Sequence, residues 1–209
     1  MEQAAIIGIA RHRIGVDGDG VTTLVVFHGC GLNCKYCINP QSLVNYNYSV
    51  IYTVEELYDE VKADSIYFIA TNGGITFGGG EPLLQFQFIK TFRQLCDNDW
   101  RINVETSLNV PQENLSNLLD VVDGFIVDVK DMNPEIYKNY TGKDNAQVIE
   151  NLKLLCEKKM QDKTLIRLPL IPGYNSEKSC EEGKSYLEKM GFERFESFDY
   201  INTSFYEQG

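Results

Sequence analysis

The chain has 209 residues, of which 43% are hydrophobic and 23% are charged, and its formal net charge is −11. These values are ordinary for a globular protein, and no apolar run approaches the roughly 20 residues that a membrane helix needs. The acidic balance argues against a nucleic-acid binder, because contact with phosphates requires clustered lysines and arginines. We therefore expect one domain over residues 1–209 that binds neither nucleic acid nor membrane.

The N-terminal segment from Met1 to Ile7 lacks the basic region and the long apolar run of a secretory signal peptide. Six cysteines without regular pairing in such a chain are typical of reduced thiols and a metal site, not of a disulfide framework. Cys96, Cys156 and Cys180 fall inside helical patterns and are interpreted as ordinary thiols. These features predict a cytoplasmic protein.

Strand and helix patterns alternate along the chain. Strands are predicted over residues 23–28, 74–77, 102–106, 124–130, 164–171 and 194–200. A loop is predicted over residues 39–52, and helices are predicted after the capping pair Thr53 and Glu56 and over residues 83–97, 111–121, 145–159 and 177–190. Such alternation is typical of a parallel sheet covered by helices, either doubly wound or curved into a barrel.

Polar residues near the carboxyl ends of the predicted strands favour the barrel. Asn103 and Glu105 share one face of their strand, Asp128 and Lys130 share a face of the next, and Arg167 lies on the one after. Barrel enzymes place their chemistry at this end of the strands. The count of six strands predicts an α/β fold, a partial (β/α)6 barrel of parallel strands covered by helices, with a lateral opening.

Cys30, Cys34 and Cys37 fall within eight residues directly after the first predicted strand. Three thiolates can occupy three corners of a cubane iron–sulfur cluster and leave the fourth iron free to bind another ligand. The alternative is a structural zinc ion held by these thiolates and a histidine such as His28. Structural zinc sites usually draw ligands from two knuckles, and the chain has no second cysteine pair, so we predict the cluster.

The glycine run from Gly78 to Gly80, followed by Glu81 and Pro82, stands at the end of a core strand. Residues without a Cβ let a ligand approach the backbone closely, and Glu81 with Pro82 would fix the turn. The same pattern also occurs in ordinary strand-to-helix turns. Its position after a core strand and its company with three cysteines favour a binding role.

Glu105, Asp128, Lys130 and Arg167 recur on successive strands and are candidates for the polar part of a site. The alternative is a structural network, because buried charges are commonly paired. Tyr36, between the second and third cysteines, could pack in the core or stack on the aromatic base of a ligand.

The Cys-x3-Cys-x-aromatic-Cys loop and the Gly-Gly-Glu-Pro turn resemble those of the radical S-adenosylmethionine (radical SAM) superfamily. Within it the chain is similar to the glycyl-radical-enzyme activating enzymes, of which pyruvate formate-lyase activase is the best known. The segments that carry this second resemblance are residues 17–23, 73–85, 127–132, 140–142, 150–152 and 167–173.

The resemblance implies that Cys30, Cys34 and Cys37 hold a [4Fe–4S] cluster, and only one, because residues 38–77 contain no cysteine for further clusters. It also implies that S-adenosylmethionine binds the open iron. By motif, its methionine amino end would be received at Gly79, Gly80 and Glu81, and the rest of its site would be lined by Glu105, Thr106, Asp128, Lys130 and Arg167, with Tyr36 beside the cluster.

The activity implied by the resemblance is reductive cleavage of S-adenosylmethionine to a 5′-deoxyadenosyl radical, which takes hydrogen from a glycine of a partner glycyl radical enzyme. A flavodoxin- or ferredoxin-type electron donor and a monomer are expected. Two alternatives stay open: a radical SAM enzyme acting on a small molecule, like the deazaguanine-synthesising members, and a cluster or zinc protein that serves only in binding. Asn202 falls where relatives carry a cofactor-contacting histidine, and that end of the site stays open.

Overall fold

A computed structural model describes residues 2–43, 48–96 and 99–200, so Asn202 lies outside the described residues. Its central feature is an eight-stranded sheet in the order β3-β1-β2-β4-β5-β6-β7-β8. The strands are β1 Gln3–Ile14, β2 Val21–Phe27, β3 Val50–Thr53, β4 Gly74–Gly79, β5 Arg101–Thr106, β6 Gly124–Asp128, β7 Thr164–Leu170 and β8 Arg194–Asp199. β2 and β4–β8 run parallel, and β1 is antiparallel to both β2 and β3.

Helices connect the parallel strands. They are α1 Val54–Val61, α2 Ser65–Thr71, α3 Phe86–Leu95, α4 Gln112–Ser116, α5 Pro134–Thr141, α6 Ala146–Glu157 and α7 Glu177–Lys189. The predicted capping box opens α1: the Thr53 hydroxyl accepts the N–H of Glu56, and the Glu56 carboxylate accepts the N–H of Thr53. Within the described ranges, no helix is long and apolar enough to cross a membrane.

The core lies on one face of the sheet. Because side chains alternate along a strand, one set packs beneath the helices, and it includes Phe77, Val104, Val127 and Ile166, all fully buried. The alternate set, which includes Glu105, points to the opposite face. Polar side chains gather on that second face toward the carboxyl ends of the strands.

The sheet does not close on itself. β3 and β8 are its two edges, and the described residues form no ladder between them. The α/β fold and the partial barrel with six parallel strands are therefore confirmed.

Two antiparallel strands and two helices, β1, β3, α2 and α5, were not predicted. β1 is interrupted by two register shifts against β2, which break the period-two pattern that identifies a strand. The predicted loop over residues 39–52 is wrong at both ends, because Pro40–Leu43 forms a 3₁₀ turn and the last three residues belong to β3.

The helix predicted over residues 111–121 is also shorter than expected and ends at Ser116. The Ser116 hydroxyl donates to the carbonyl of Gln112, and the Asn117 amide donates to that of Glu113. Such side-chain bonds to the backbone compete with continuation of a helix.

Candidate active site at the carboxyl ends of the strands

The loop that carries the three cysteines follows β2 and rests on the end of α5. The backbone N–H of Asn33 donates to the carbonyl of Thr141 at 2.9 Å, and that of Lys35 donates to the carbonyl of Tyr140 at 3.1 Å. The last carbonyls of a helix lack partners within the helix, so the loop satisfies groups that α5 leaves open. This contact holds the loop against the sheet from the β6 side.

Cys30, Cys34 and Cys37 are partly exposed free thiols on this loop. Burial raises the pKa of Cys30 to about 12, and the neighbouring Cys34 and Cys37 add to the increase. Burial also raises the pKa of Cys34, while the ammonium of Lys130 opposes the shift. Without a metal these two thiols are protonated at neutral pH, so metal binding must release protons.

The glycine turn packs directly on the start of the cysteine loop. Gly79, at the end of β4, has a φ of +95°, which favours glycine. The N–H of Gly80 donates to the carbonyl of Phe27 at 2.9 Å, and the N–H of Glu81 donates to that of Gly29 at 2.8 Å. A Cβ on Gly80 would lie 2.1 Å from the Gly29 oxygen, so only glycine allows this approach.

The carboxylate of Glu81 joins the glycine turn to the end of β5. It is 2% exposed, and it accepts hydrogen bonds from the Thr106 hydroxyl at 2.6 Å and the Ser107 hydroxyl at 2.6 Å. The backbone N–H groups of Ser107 and Leu83 also donate to it, at 3.0 and 3.2 Å. Burial raises the pKa of Glu81, and these four hydrogen bonds oppose the shift. Glu81 therefore acts as the anchor of the turn.

Arg167 on β7 is the centre of an ion network on the polar face. Its Nη1 donates to Glu105 of β5 at 2.9 Å, and its Nε donates to Glu196 of β8 at 2.9 Å. Its Nη2 donates to the carbonyl of Val16 in the β1–β2 connection. Burial raises the pKa of Glu105 to about 7; Asp128 adds to this increase and Arg167 opposes it. The network ties three strands and one connection together.

Asp128 and Lys130 form a second ion pair beside the cysteine loop, with Lys130 Nζ 2.8 Å from Asp128 Oδ2. Burial lowers the pKa of Lys130, but Asp128 and the thiol of Cys34 outweigh it and raise the pKa above its usual range. Asp128 Oδ1 is buried and has no hydrogen-bond partner among the described residues. A buried carboxylate oxygen of this kind is suited to accept a donor from a ligand.

Tyr36 lies in a group of four tyrosines with Tyr140, Tyr174 and Tyr200. The ring centroid of Tyr36 is 6.2, 5.6 and 6.3 Å from theirs, in that order. The Tyr200 hydroxyl donates to the Tyr36 carbonyl, so the end of β8 is tied to the cysteine loop. Stacking of Tyr36 on a ligand stays a prediction.

The residues of this region fit an iron–sulfur cluster with a small zwitterionic ligand. Three thiols share one loop and influence one another electrostatically, and a glycine turn leaves bare backbone beside them. The open oxygen of Asp128 and the ammonium of Lys130 offer one acceptor and one cation for the amino and carboxylate groups of such a ligand. Among the described side chains, no group of three or more His, Cys, Asp or Glu is arranged around a single ion.

The fold and the site define an α/β enzyme with a partial barrel and a cofactor site at the carboxyl ends of its strands. The sequence model of the Radical SAM superfamily matches residues 24–179, which include the cysteine loop, the glycine turn and Arg167. The chain therefore belongs to the radical SAM superfamily, whose members use a [4Fe–4S] cluster and S-adenosylmethionine. Both cofactors were predicted, and the family assignment confirms them.

Relatives with known activities cover most of the chain. The (2S)-3-sulfopropanediol dehydratase activating enzyme of Klebsiella oxytoca is 29% identical, over 82% of this chain and 73% of the relative. The pyruvate formate-lyase-activating enzyme of Staphylococcus aureus strain USA300 is 31% identical, over 88% of this chain and 76% of the relative. The predicted resemblance to activating enzymes is thereby confirmed.

Solved structures agree in fold. Streptococcus suis SuiB bound to S-adenosylmethionine superposes with a TM-score of 0.65 at 13% identity, over 85% of this chain and 42% of that chain. The enzyme anSMEcpe with bound AdoMet gives a TM-score of 0.60 at 19% identity, over 83% and 49%. This chain spans less than half the length of either, so the likeness concerns the shared barrel.

The structure brings most predicted site residues into adjacent positions. Gly79, Gly80 and Glu81 adjoin the cysteine loop, Glu105 meets Arg167, and Asp128 meets Lys130. Thr106 instead faces Glu81 beneath the turn. Whether each of them contacts the cofactor stays a prediction.

Glu196, Ser107 and Val16 were missed. The position of Ser107 directly after Thr106 at a strand end was a usable signal for it. The backbone carbonyl of Val16 leaves no signal in a sequence, because every residue has one.

Proposed function

We propose that this chain activates a glycyl radical enzyme by removing hydrogen from a glycine of that partner. The observation that supports this most is its similarity, at about 30% identity over more than four fifths of its length, to two enzymes named as activating enzymes. The unclosed sheet supports it as well, since a site that opens between two edge strands can admit a loop of another protein.

We propose that Cys30, Cys34 and Cys37 hold the cluster and that the turn from Gly79 to Glu81 receives the amino end of S-adenosylmethionine. When bound and reduced, these cofactors supply a 5′-deoxyadenosyl radical that removes a hydrogen atom from carbon. The protein must hold the target close and keep water and other C–H bonds away.

Each polar residue then has an orienting role. Glu81 fixes the glycine turn from below, so that its backbone groups keep one position. Asp128 and Lys130 lie beside Cys34 and offer an acceptor and a cation to the ligand. Arg167, held by carboxylates on both sides, presents its remaining N–H groups to the site.

Several finer statements belong to the same proposal. The 209 residues form a single domain, which agrees with the membership of all eight strands in one sheet. A monomeric, cytoplasmic protein that receives electrons from a flavodoxin- or ferredoxin-type donor remains the prediction from sequence.

The test is electron paramagnetic resonance of each glycyl radical enzyme encoded in the same genome, after anaerobic incubation with the reduced chain and S-adenosylmethionine. We expect a glycyl radical signal on one of them that depends on this chain. Formation of 5′-deoxyadenosine without such a signal on any candidate would favour the small-molecule alternative. Absence of 5′-deoxyadenosine altogether would favour a protein that serves only in binding.

A further inference from the structure

Arg167 is held from three directions by groups on three different elements. Glu105 of β5 and Glu196 of β8 each accept one N–H at 2.9 Å, and the carbonyl of Val16 accepts another. The guanidinium carries one N–H on Nε and two on each terminal nitrogen. These three bonds therefore leave one N–H on each terminal nitrogen to face a ligand.

The position of Glu196 follows from strand register. Arg167 and Glu196 are direct partners in the parallel pairing of β7 with β8, so their side chains leave the sheet on the same face. A shift of one residue would present Ser197 or Phe195 to the guanidinium instead. The ion pair is therefore built into the pairing of the last strand.

We propose that Glu196 is a positioning residue that holds the Arg167 guanidinium in the orientation needed to bind S-adenosylmethionine. The inference rests on the proposed function, in which Arg167 lines the cofactor site. Glu196 reaches Nε, the nitrogen nearest the side-chain stem, and so limits rotation of the planar group about its last bonds. Its side chain is 48% exposed, at the edge of the sheet, while that of Arg167 is 9% exposed.

Glu105 alone does not provide the same hold. It shares its surroundings with the carboxylates of Asp128 and Asp17, and with the cations of Arg167 and Lys130, and burial raises its pKa to about 7. At neutral pH a substantial fraction of Glu105 is thus protonated, which weakens its ion pair with Arg167. Glu196 supplies a second carboxylate from the opposite side.

The experiment measures equilibrium binding of S-adenosylmethionine to anaerobically reconstituted holoenzyme with an oxidised cluster, by calorimetry and without turnover. We expect Glu196→Gln to raise the dissociation constant roughly three- to fivefold, the range of a half-exposed ion pair, with iron content unchanged. Glu196→Asp should restore most of the affinity. Glu193→Gln, which removes the same charge just before β8, is the matched control and should leave binding unchanged.

A double-mutant cycle with Arg167→Lys tests the pathway of the effect. Lysine lacks the planar fork, so Glu196→Gln should add little in that background. Equal binding by Glu196→Gln and the wild-type chain overturns the inference, and so does an undiminished effect of Glu196→Gln in the Arg167→Lys background.

The same measurement separates this inference from the proposed function. Failure of the wild-type holoenzyme to bind S-adenosylmethionine would overturn both of them. Normal binding by the wild-type holoenzyme that does not depend on Glu196 would overturn this inference alone.

Discussion

Substitution of Glu81 tests how the glycine turn is held. Its carboxylate accepts four hydrogen bonds, two of them from hydroxyls whose own oxygens accept backbone N–H groups. Those hydroxyl protons therefore point at Glu81. Glu81→Ala would remove every acceptor and leave the N–H groups of Leu83 and Ser107 buried without partners.

The expected cost is about 3–5 kcal/mol for Glu81→Ala, since a buried hydrogen-bond network loses its acceptor and a cavity forms. Glu81→Gln keeps the volume and one acceptor oxygen, but its NH₂ group must face at least one donor. We expect it to cost about 1–3 kcal/mol. Equilibrium urea unfolding under reducing, anaerobic conditions measures both, and for a chain of this size the alanine variant should shift the midpoint by about 1 M or more.

Glu113→Gln is the control for this experiment, because Glu113 stands in the exposed first turn of α4. It should change the free energy of unfolding by no more than a few tenths of a kcal/mol. Unchanged stability of Glu81→Gln and Glu81→Ala, or a loss equal to that of the control, would refute the claim that this carboxylate anchors the turn.

Three further predictions concern the same region. Gly80→Ala should disrupt the contact with the cysteine loop and lower iron retention, because its Cβ would lie 2.1 Å from a carbonyl oxygen, whereas Gly31→Ala, whose Cβ would meet nothing closer than 4.0 Å, should behave as wild type; equal iron content in both would contradict the close-approach argument. Cys34→Ala should lose the visible absorption of the cluster and Cys156→Ser should retain it, and a coloured Cys34→Ala protein would show that the loop is not the ligand set. Because the native pKa of Glu105 is about 7 against a usual 4.5, the native state binds its proton more tightly, so stability from this group is lost as the pH rises from 4.5 to 7, by at most ~1.4 kcal/mol per pH unit; urea midpoints across this range should fall less steeply for Glu105→Gln, and parallel curves would count against the raised pKa.

The parallel strands and the cysteine loop could be predicted because their signals are local. Each parallel strand is a short apolar run between helical patterns, and three cysteines on one loop have few interpretations. β1 and α5 were missed for different reasons. The alternation of β1 is broken by its register shifts, and α5 is only eight residues long and depends on its contact with the cysteine loop.

The polar network shows the same limit at the level of side chains. Glu105 and Arg167 could be placed on one face from strand periodicity, but their pairing at 2.9 Å depends on sheet order. Glu196 lies on a strand of mostly exposed residues, where a carboxylate gives no signal in the sequence. Only the register between β7 and β8 reveals it as a partner of Arg167.

The central claim is that this chain takes a hydrogen atom from a glycine of a partner protein. It is tested most directly by transfer of deuterium from a candidate glycyl radical enzyme labelled with α-deuterated glycine into 5′-deoxyadenosine, measured by mass spectrometry after anaerobic turnover. The account predicts deuterium in 5′-deoxyadenosine with one partner, and none when its radical-bearing glycine is replaced by alanine. Continued formation of unlabelled 5′-deoxyadenosine with every candidate would contradict it.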